Sequence, residues 1–338
     1  MDAEGRATER GEIARAPSAR ASAVRAEVSA AGDPLTGTQT GAMTVVGLEG
    51  GGADPEERPF RNDADTALEA FVREHPALFV LGGAGCSTAS GLGDYRDREG
   101  RWKRRQPITG QSFLGDPLAR ARYWARSAVG WPAFDSARPG ASHHALARLQ
   151  RSGHARHLVT QNVDGLHQRA GHEDVVELHG TLATVSCVGC AHTLARAVFQ
   201  ERLLAANPWF ERLDAAHAPD GDADLELADP DQVAVPGCPR CGGLLKPDVV
   251  FFGENVPRPT VEQAFAALAA SDALLVAGSS LMVFSGFRFC RDAAARGQPI
   301  VIVNDGRTRA DDLATLKIGG DCGTRLARLA DRLASGRI

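Results

Sequence analysis

Apolar residues fall along this chain in short unbroken runs, separated by longer stretches in which they recur every three or four positions. Leu78 to Leu81, Leu158-Val159, Val175-Val176, Ala273 to Ala277, and Ile300 to Val303 are such runs. That is the pattern of strands buried on both faces of a parallel sheet. Ala67, Leu68, Phe71 and Val72 follow helical spacing, with Asp63 as a cap and His75-Pro76 as the stop. Residues 116–153 also read as helical, with Ser142 capping the segment that carries Leu146 and Leu149, and Gly153 ending it. Further helices are expected over 166–170, 259–270, 286–296 and 324–333. This alternation predicts an α/β fold, a Rossmann-like doubly wound parallel sheet that places ligands outside the carboxyl ends of its strands.

Those strand ends are polar. Between residues 157 and 180 the two short runs end in Gln161, Asn162 and Asp164, and then in His179. An amide pair and a carboxylate can hold hydroxyls and a carboxamide, and a neutral imidazole can take a proton near neutral pH. A lone His-Gly after a strand is usually a turn; the company of Gln161, Asn162 and Asp164 makes His179 a candidate base. The run at Leu78 leads into Gly82-Gly83-Ala84-Gly85-Cys86-Ser87-Thr88-Ala89-Ser90-Gly91. Such a turn lets backbone N–H groups approach a pyrophosphate, although Thr88 stands where a third glycine belongs and a plain tight turn fits too. Asp94-Tyr95-Arg96 continues it. Gly278-Ser279-Ser280 ends another strand in residues small enough for a phosphate or ribose to approach the backbone. Asn304-Asp305 ends the next.

Composition narrows the partners. The 338 residues carry a net charge of −4, with 43% hydrophobic and 24% charged residues, so nucleic acid and anionic membranes are not expected partners. No apolar run approaches the roughly 18 residues of a membrane span. Between residues 96 and 105 six residues are basic and two acidic, around Trp102. This is either a solvated loop or a lid whose arginines meet phosphates. Val249-Val250-Phe251-Phe252-Gly253-Glu254 reads as an apolar strand, either of the core or able to pair with an extended peptide by strand addition.

Four of the seven cysteines form Cys187-Val-Gly-Cys190 and Cys238-Pro-Arg-Cys241, with 47 residues between the pairs. Two such knuckles close a tetrahedral thiolate site with no open position, which makes the expected zinc structural. Residues 1–58 hold little that could bury a core and end in Gly50-Gly51-Gly52 and Asp54-Pro55. They read as a disordered arm, with order beginning near Phe60. The first 40 residues contain five Arg against six acids. A mitochondrial presequence is poor in acids, so a cytoplasmic location is expected.

Assembled in order, these residues resemble the sirtuins, the NAD-dependent protein lysine deacylases, over roughly residues 60 to 332. Gly83-Ala84-Gly85 with Ser87, Ser90-Gly91 and Asp94-Tyr95-Arg96 is similar to the NAD-binding loop. Thr160 to Asp164 resembles the nicotinamide-ribose motif, and His179-Gly180 the catalytic histidine with its glycine. The zinc knuckles, Val249 to Glu254, Gly278 to Ser280 and Asn304 complete the set. Within the family the chain is most similar to class II, the mitochondrial type called sirtuin four. That likeness rests on Arg122 to Arg126, Val129 to Pro132, Lys246 to Gly253, and Thr308-Arg309. Gly93 stands where the family usually has proline, so the cofactor loop should be less pre-organised. Class II members that prefer acidic acyl chains use a Tyr and an Arg three residues apart; the nearest candidates are Trp102 and Arg105, a weak match.

The resemblance implies three parts: the arm over 1–58, a Rossmann-like NAD-binding domain over 59–186 and 244–338 with a helical insertion around 96–140, and a small inserted zinc-ribbon module over 187–243. It implies NAD as co-substrate, with phosphates at Gly83 to Ser87, the nicotinamide end at Gln161, Asn162 and Asp164, and the adenosine end near Gly278, Ser279, Ser280, Asn304, Asp305 and Cys322. An acyl-lysine of a protein or peptide would enter beside Val249 to Glu254. Its carbonyl oxygen would attack the ribose as nicotinamide leaves, aided by Asn162, with His179 as general base on a ribose hydroxyl. The products would be nicotinamide, lysine and O-acyl-ADP-ribose. The alternatives are mono-ADP-ribosyl transfer from NAD to a protein and, more remotely, a non-catalytic zinc-ribbon interaction module.

Overall fold

The computed structural model describes residues 44–46, 58–103, 107–213, 217–218, 222–223, 225 and 229–335. In chain order the elements begin with β1 (Thr44–Val46), α1 (Arg58–Glu74), β2 (Leu78–Gly82), α2 (Gly110–Gly115), α3 (Pro117–Ser136), α4 (Ala141–Arg151), β3 (Ala155–Thr160) and α5 (Leu166–Arg169). There follow β4 (Val175–Glu177), β5 (Gly180–Cys187), β6 (Thr193–Ala195), α6 (Arg196–Ala206), β7 (His217–Ala218), β8 (Asp222–Ala223) and β9 (Leu245–Val249). The last are α7 (Arg258–Ala269), β10 (Ala273–Ala277), α8 (Phe284–Ala295), β11 (Ile300–Val303), β12 (Leu316–Ile318) and α9 (Cys322–Ser335).

Because side chains alternate across a strand, the unbroken apolar runs can bury both faces. Leu78 and Val80 of β2 pack with Leu275 and Val301 beneath Leu68 of α1, Leu146 of α4 and Leu329 of α9. Phe79 and Leu81 point the other way, with Val276 and Ile302, against Leu268 of α7 and Phe289 of α8. Removing one such leucine side chain to Ala costs about 2–5 kcal/mol. On the first face, Asp65 of α1 accepts from Arg325 at 2.7 Å and Arg328 at 3.1 Å, tying α1 to α9.

The parallel sheet runs β1-β12-β11-β10-β2-β3-β4. From β2 the chain builds outward through β3 and β4, then returns to lay β10 on the other side of β2 and builds outward again through β11 and β12. The order therefore reverses between β2 and β10, and a doubly wound sheet opens its ligand crevice at such a reversal. A second sheet, β6-β5-β9, is antiparallel and carries the cysteine knuckles at its end. It shares one aromatic core with the helical insertion: Phe113 of α2 and Trp124 of α3 pack with Phe199 of α6, Phe210 and Phe251. The inserted sheet begins at Gly180 and ends at Val249, on either side of the residues 187–243 expected to form the zinc module.

Several local expectations change. Helix α1 opens at Arg58, with Pro59 in its first turn, so Asp63 lies inside the helix and caps nothing. Gly140, not Ser142, precedes α4, and the Ser142 hydroxyl instead donates to the Cys86 carbonyl at 2.5 Å. Order also appears before Phe60, since Thr44–Val46 pairs in parallel with β12 at the sheet edge. The rest of the arm before Arg58 lies outside the described residues. Among the described residues no helix is long and apolar enough to cross a membrane.

Candidate active site

A cleft of about 720 Å³ opens over the reversal point, a volume usual for a cofactor or substrate site. The loop after β2 forms its floor as two short 3₁₀ turns, Ala84–Cys86 and Thr88–Ser90. Gly83 donates its N–H to Ala277, and Gly85 to Gly278 at 2.8 Å, so this loop lies directly on the one after β10. A side chain on Gly85 would place its Cβ 2.8 Å from the Gly278 Cα, and one on Gly83 would come within 2.6 Å of the Ser279 Cβ. The glycines are required by this backbone-on-backbone approach.

Ser87 gathers the polar residues that follow β3. Its hydroxyl donates to Asp164 at 2.6 Å and accepts from the Asn162 amide at 3.0 Å. The same amide donates to the Gly83 carbonyl at 3.1 Å. His143 of α4 approaches the Ser87 hydroxyl at 3.4 Å through Nε2, while its Nδ1 accepts from the Gly140 N–H. That acceptor role places the proton on Nε2. Burial holds the His143 pKa down at about 4 against the pull of Asp164. Ser87, Asn162 and Asp164 line a small recess beside the main cleft, together with Gly93, Tyr95 and Phe134. Gln161 spans the crevice, donating to the Gly82 carbonyl at 3.2 Å and to the Ser279 hydroxyl at 2.9 Å.

His179 follows β4 on the cleft wall. Its Nδ1 lies 2.9 Å from the Gln161 carbonyl. A carbonyl only accepts, so Nδ1 carries a proton and the basic lone pair belongs to Nε2. That nitrogen sits 2.7 Å from the Ser285 hydroxyl. Burial lowers the His179 pKa, opposed by the Gln161 carbonyl and helped by the nearby Arg288 charge. Gly180 has φ 77° and no room for a side chain against the Asp248 carbonyl, which brings β9 alongside the histidine. The Val250 N–H then donates to the His179 carbonyl at 2.9 Å.

Of the sequence-derived residues, Gly83, Ala84, Gly85, Asp94, Tyr95, Arg96, Gln161, Asn162, His179, Val249 to Glu254, Gly278 to Ser280, Asn304 and Asp305 all line this cleft. Cys322 does not; it caps the rear of the loop, its thiol against the Gly85 carbonyl at 3.3 Å. The strand expected over 249–254 stops at Val249. Beyond it Gly253 turns with φ 83° and the Glu254 carboxylate accepts from the Phe251 N–H at 2.9 Å, which uses that backbone up locally. Phe252 keeps one parallel bridge, to Thr109.

Among the described residues, the basic run finds its partners within the protein. Arg96 stacks over Trp102 at 3.9 Å, Arg98 pairs with Asp305, Arg101 with Asp97 and Glu99, and Lys103 with Asp94. Trp102 lines the cleft, and Arg105 lies outside the described residues. Tyr123 and Arg126, also three residues apart, line the cleft from α3. Ser285 carries no mark in the sequence, because spacing does not distinguish a helix-start serine; His143, whose place in the first turn of its helix suggests a surface or packing residue, is buried beside Ser87.

The four knuckle sulfurs lie within 4.8 Å of one another, with Cys187 and Cys241 at 3.4 Å and Cys190 and Cys238 at 3.7 Å. Thiolates about 2.3 Å from a tetrahedral zinc stand roughly 3.8 Å apart, so the cluster fits one ion. The Arg240 and Gly243 N–H groups point at the Cys238 and Cys241 sulfurs, as suits thiolates.

Comparison with known proteins agrees with this geometry. The Sir2 family matches residues 83–285. An NAD-dependent protein deacetylase of Xanthomonas campestris pv. campestris is 59% identical over 263 residues, covering 78% of this chain and 90% of that protein. A Sir2 structure with deacetylated peptide and 3′-O-acetyl ADP-ribose superposes with a TM-score of 0.65 at 29% identity, covering 79% of this chain and 97% of the other. A Sir2–peptide–NAD+ complex gives 0.63 at 28%, covering 80% and 98%.

Proposed function

The chain belongs to the Sir2 family, and we infer from that membership and from the cleft that it is an NAD-dependent protein lysine deacylase. It releases nicotinamide and O-acyl-ADP-ribose and carries one structural zinc. The observation that carries this reading is the fixed tautomer of His179: a carbonyl on Nδ1 leaves Nε2 as a base facing the same cleft as the Gly83–Ser87 loop.

NAD supplies a ribose carbon from which nicotinamide departs; the chain supplies position and proton transfer. We assign the phosphates to the backbone of Gly83 to Ser87, as the close glycine approach supports. Asn162 and Asp164 orient the nicotinamide end, supported by their shared bonding to Ser87. His179 Nε2 removes a proton from a ribose hydroxyl once Ser285 yields it. Val249 to Glu254 flank the acyl-lysine, a role supported by their place on the cleft wall next to His179.

The finer likeness to class II, the sirtuin four type, is part of this proposal. It is supported by Arg122, Tyr123 and Arg126, which face the cleft where an acyl chain would reach. We also propose a cytoplasmic location, supported by seven cysteines of which none is in a disulfide.

Mass spectrometry of an acetyl-lysine peptide incubated with NAD and the enzyme tests the reading. A peptide lighter by one acetyl group, with nicotinamide formed in equal amount, is expected. A heavier, ADP-ribosylated protein with the peptide unchanged would replace deacylation by ADP-ribosyl transfer.

A further inference from the structure

Direction along the sheet constrains how a dinucleotide can lie. Its reacting end belongs with Asn162 and His179, beyond β3 and β4, and its diphosphate with the loop after β2. The adenosine half must therefore run the other way, over the ends of β10 and β11. There Gly278 to Ser280 and then Asn304 and Asp305 line the cleft.

At that far end Asp305 is paired with Arg98. Nε and Nη2 of Arg98 both lie 3.0 Å from Oδ2 of Asp305, which leaves Oδ1 for a further donor. The backbone clasps the arginine in place: the Arg307 N–H donates to the Arg98 carbonyl at 2.7 Å. Gly306, with φ 109°, has space for no side chain against that carbonyl, the nearest approach of a Cβ being 2.5 Å. The guanidinium is 66% exposed and the carboxylate 49%, so both groups are within reach of a ligand.

We propose that Asp305 selects NAD over its 2′-phosphorylated form, and that Arg98 is the positioning residue that holds the carboxylate for this choice. A carboxylate accepts hydrogen bonds from the two hydroxyls of an adenosine ribose. A 2′-phosphate brings only acceptors and negative charge to the same oxygen, and like charges at contact are strongly disfavoured. Neutralising Asp305 releases the guanidinium, whose planar fork suits a phosphate. The pair is a selectivity filter in which the cation that would welcome the phosphate is occupied by the anion that rejects it. This rests on the reading of the cleft as an NAD site.

The test uses ADP-ribose and 2′-phospho-ADP-ribose, which bind without turnover, titrated calorimetrically into the zinc-loaded protein. The unsubstituted chain should prefer ADP-ribose. Asp305→Asn should narrow that preference about tenfold or more, chiefly through tighter binding of the 2′-phosphate. Adding Arg98→Ala to it should remove the gain. An unchanged preference in Asp305→Asn, with ADP-ribose still bound, overturns the proposal while leaving the NAD reading intact. If the unsubstituted chain binds neither compound, the NAD reading itself fails and takes the proposal with it. Both side chains are exposed, and an unchanged melting temperature confirms that the variants fold.

Discussion

Nε2 of His179 stands 2.7 Å from the hydroxyl of Ser285, a residue of α8 more than a hundred positions away in the chain. The opposite ring nitrogen is committed to the Gln161 carbonyl, so the serine meets the basic side of the imidazole. Its hydroxyl stabilises the neutral ring by donating to it. Ser285→Ala should therefore raise the His179 pKa toward the ordinary histidine value. In its proposed role as base His179 must be neutral, so kcat/KM should fall as pH drops through that pKa, and burial sets this acid limb below the ordinary value of 6.5. The variant should move the limb to higher pH. A limb that stays put would show that the serine does not act on the base.

His179→Ala should abolish steady-state deacylation of an acylated peptide while leaving NAD binding within a few-fold. Turnover and calorimetric affinity, measured together, separate the two effects. Unchanged turnover would remove His179 from the chemistry.

Gly85→Ala adds a single methyl group where the loops after β2 and β10 touch. Its Cβ would lie 2.8 Å from a backbone carbon of Gly278, which cannot rotate away as a side chain could. Overpacking of this kind costs about 1–3 kcal/mol, and here the strain falls on the loop we assign to the phosphates. Weaker NAD binding by about tenfold is expected, with a lowered melting temperature. Equal affinity in the two proteins would place the phosphates elsewhere.

Acid should destabilise the fold through its buried histidines. Burial lowers the pKa of His143 to about 4 and that of His167 well below its ordinary value of 6.5. Neither ring nitrogen of His167 has a hydrogen-bond partner, so protonation would bury a bare charge. The unfolded chain binds protons at these sites near pH 6.5 and the folded chain does not, so stability falls as pH drops from about 6.5 toward 4. Urea midpoints measured across that range check the sign. Replacing His143 with Gln should flatten part of the slope.

The strands of the large sheet were legible because burial on both faces leaves unbroken apolar runs, and the polar residues at their ends marked the cleft. The two strands beyond β11 leave no such run: β12 (Leu316–Ile318) carries a lysine at its centre, and β1 (Thr44–Val46) is only three residues long. The knuckles were plain from spacing alone, while the sheet that carries them was not, because β5 is only partly buried and its irregular pattern spoils the alternation. Asp63 and Ser142 are cap residues by type, yet α1 already begins at Arg58-Pro59 and the Ser142 hydroxyl is bound to the Cys86 carbonyl. A residue that matters through a contact distant in sequence, such as Ser285, leaves no local pattern to find.

Strand β5 runs from Gly180, next to His179, to Cys187 in the cysteine knuckle, and β9 returns from beside Cys241 to Val249 and the Val250 N–H that holds His179. The two strands join the knuckle that would hold the metal at one end to His179, the proposed base, at the other, through a ladder whose register shifts between Gly180 and Val185. Stripping the zinc should loosen the far end first and reach the chemistry as a loss of aim. Chelation that lowers kcat while ADP-ribose still binds would be the mark of it, and Cys238→Ser should show the same signature.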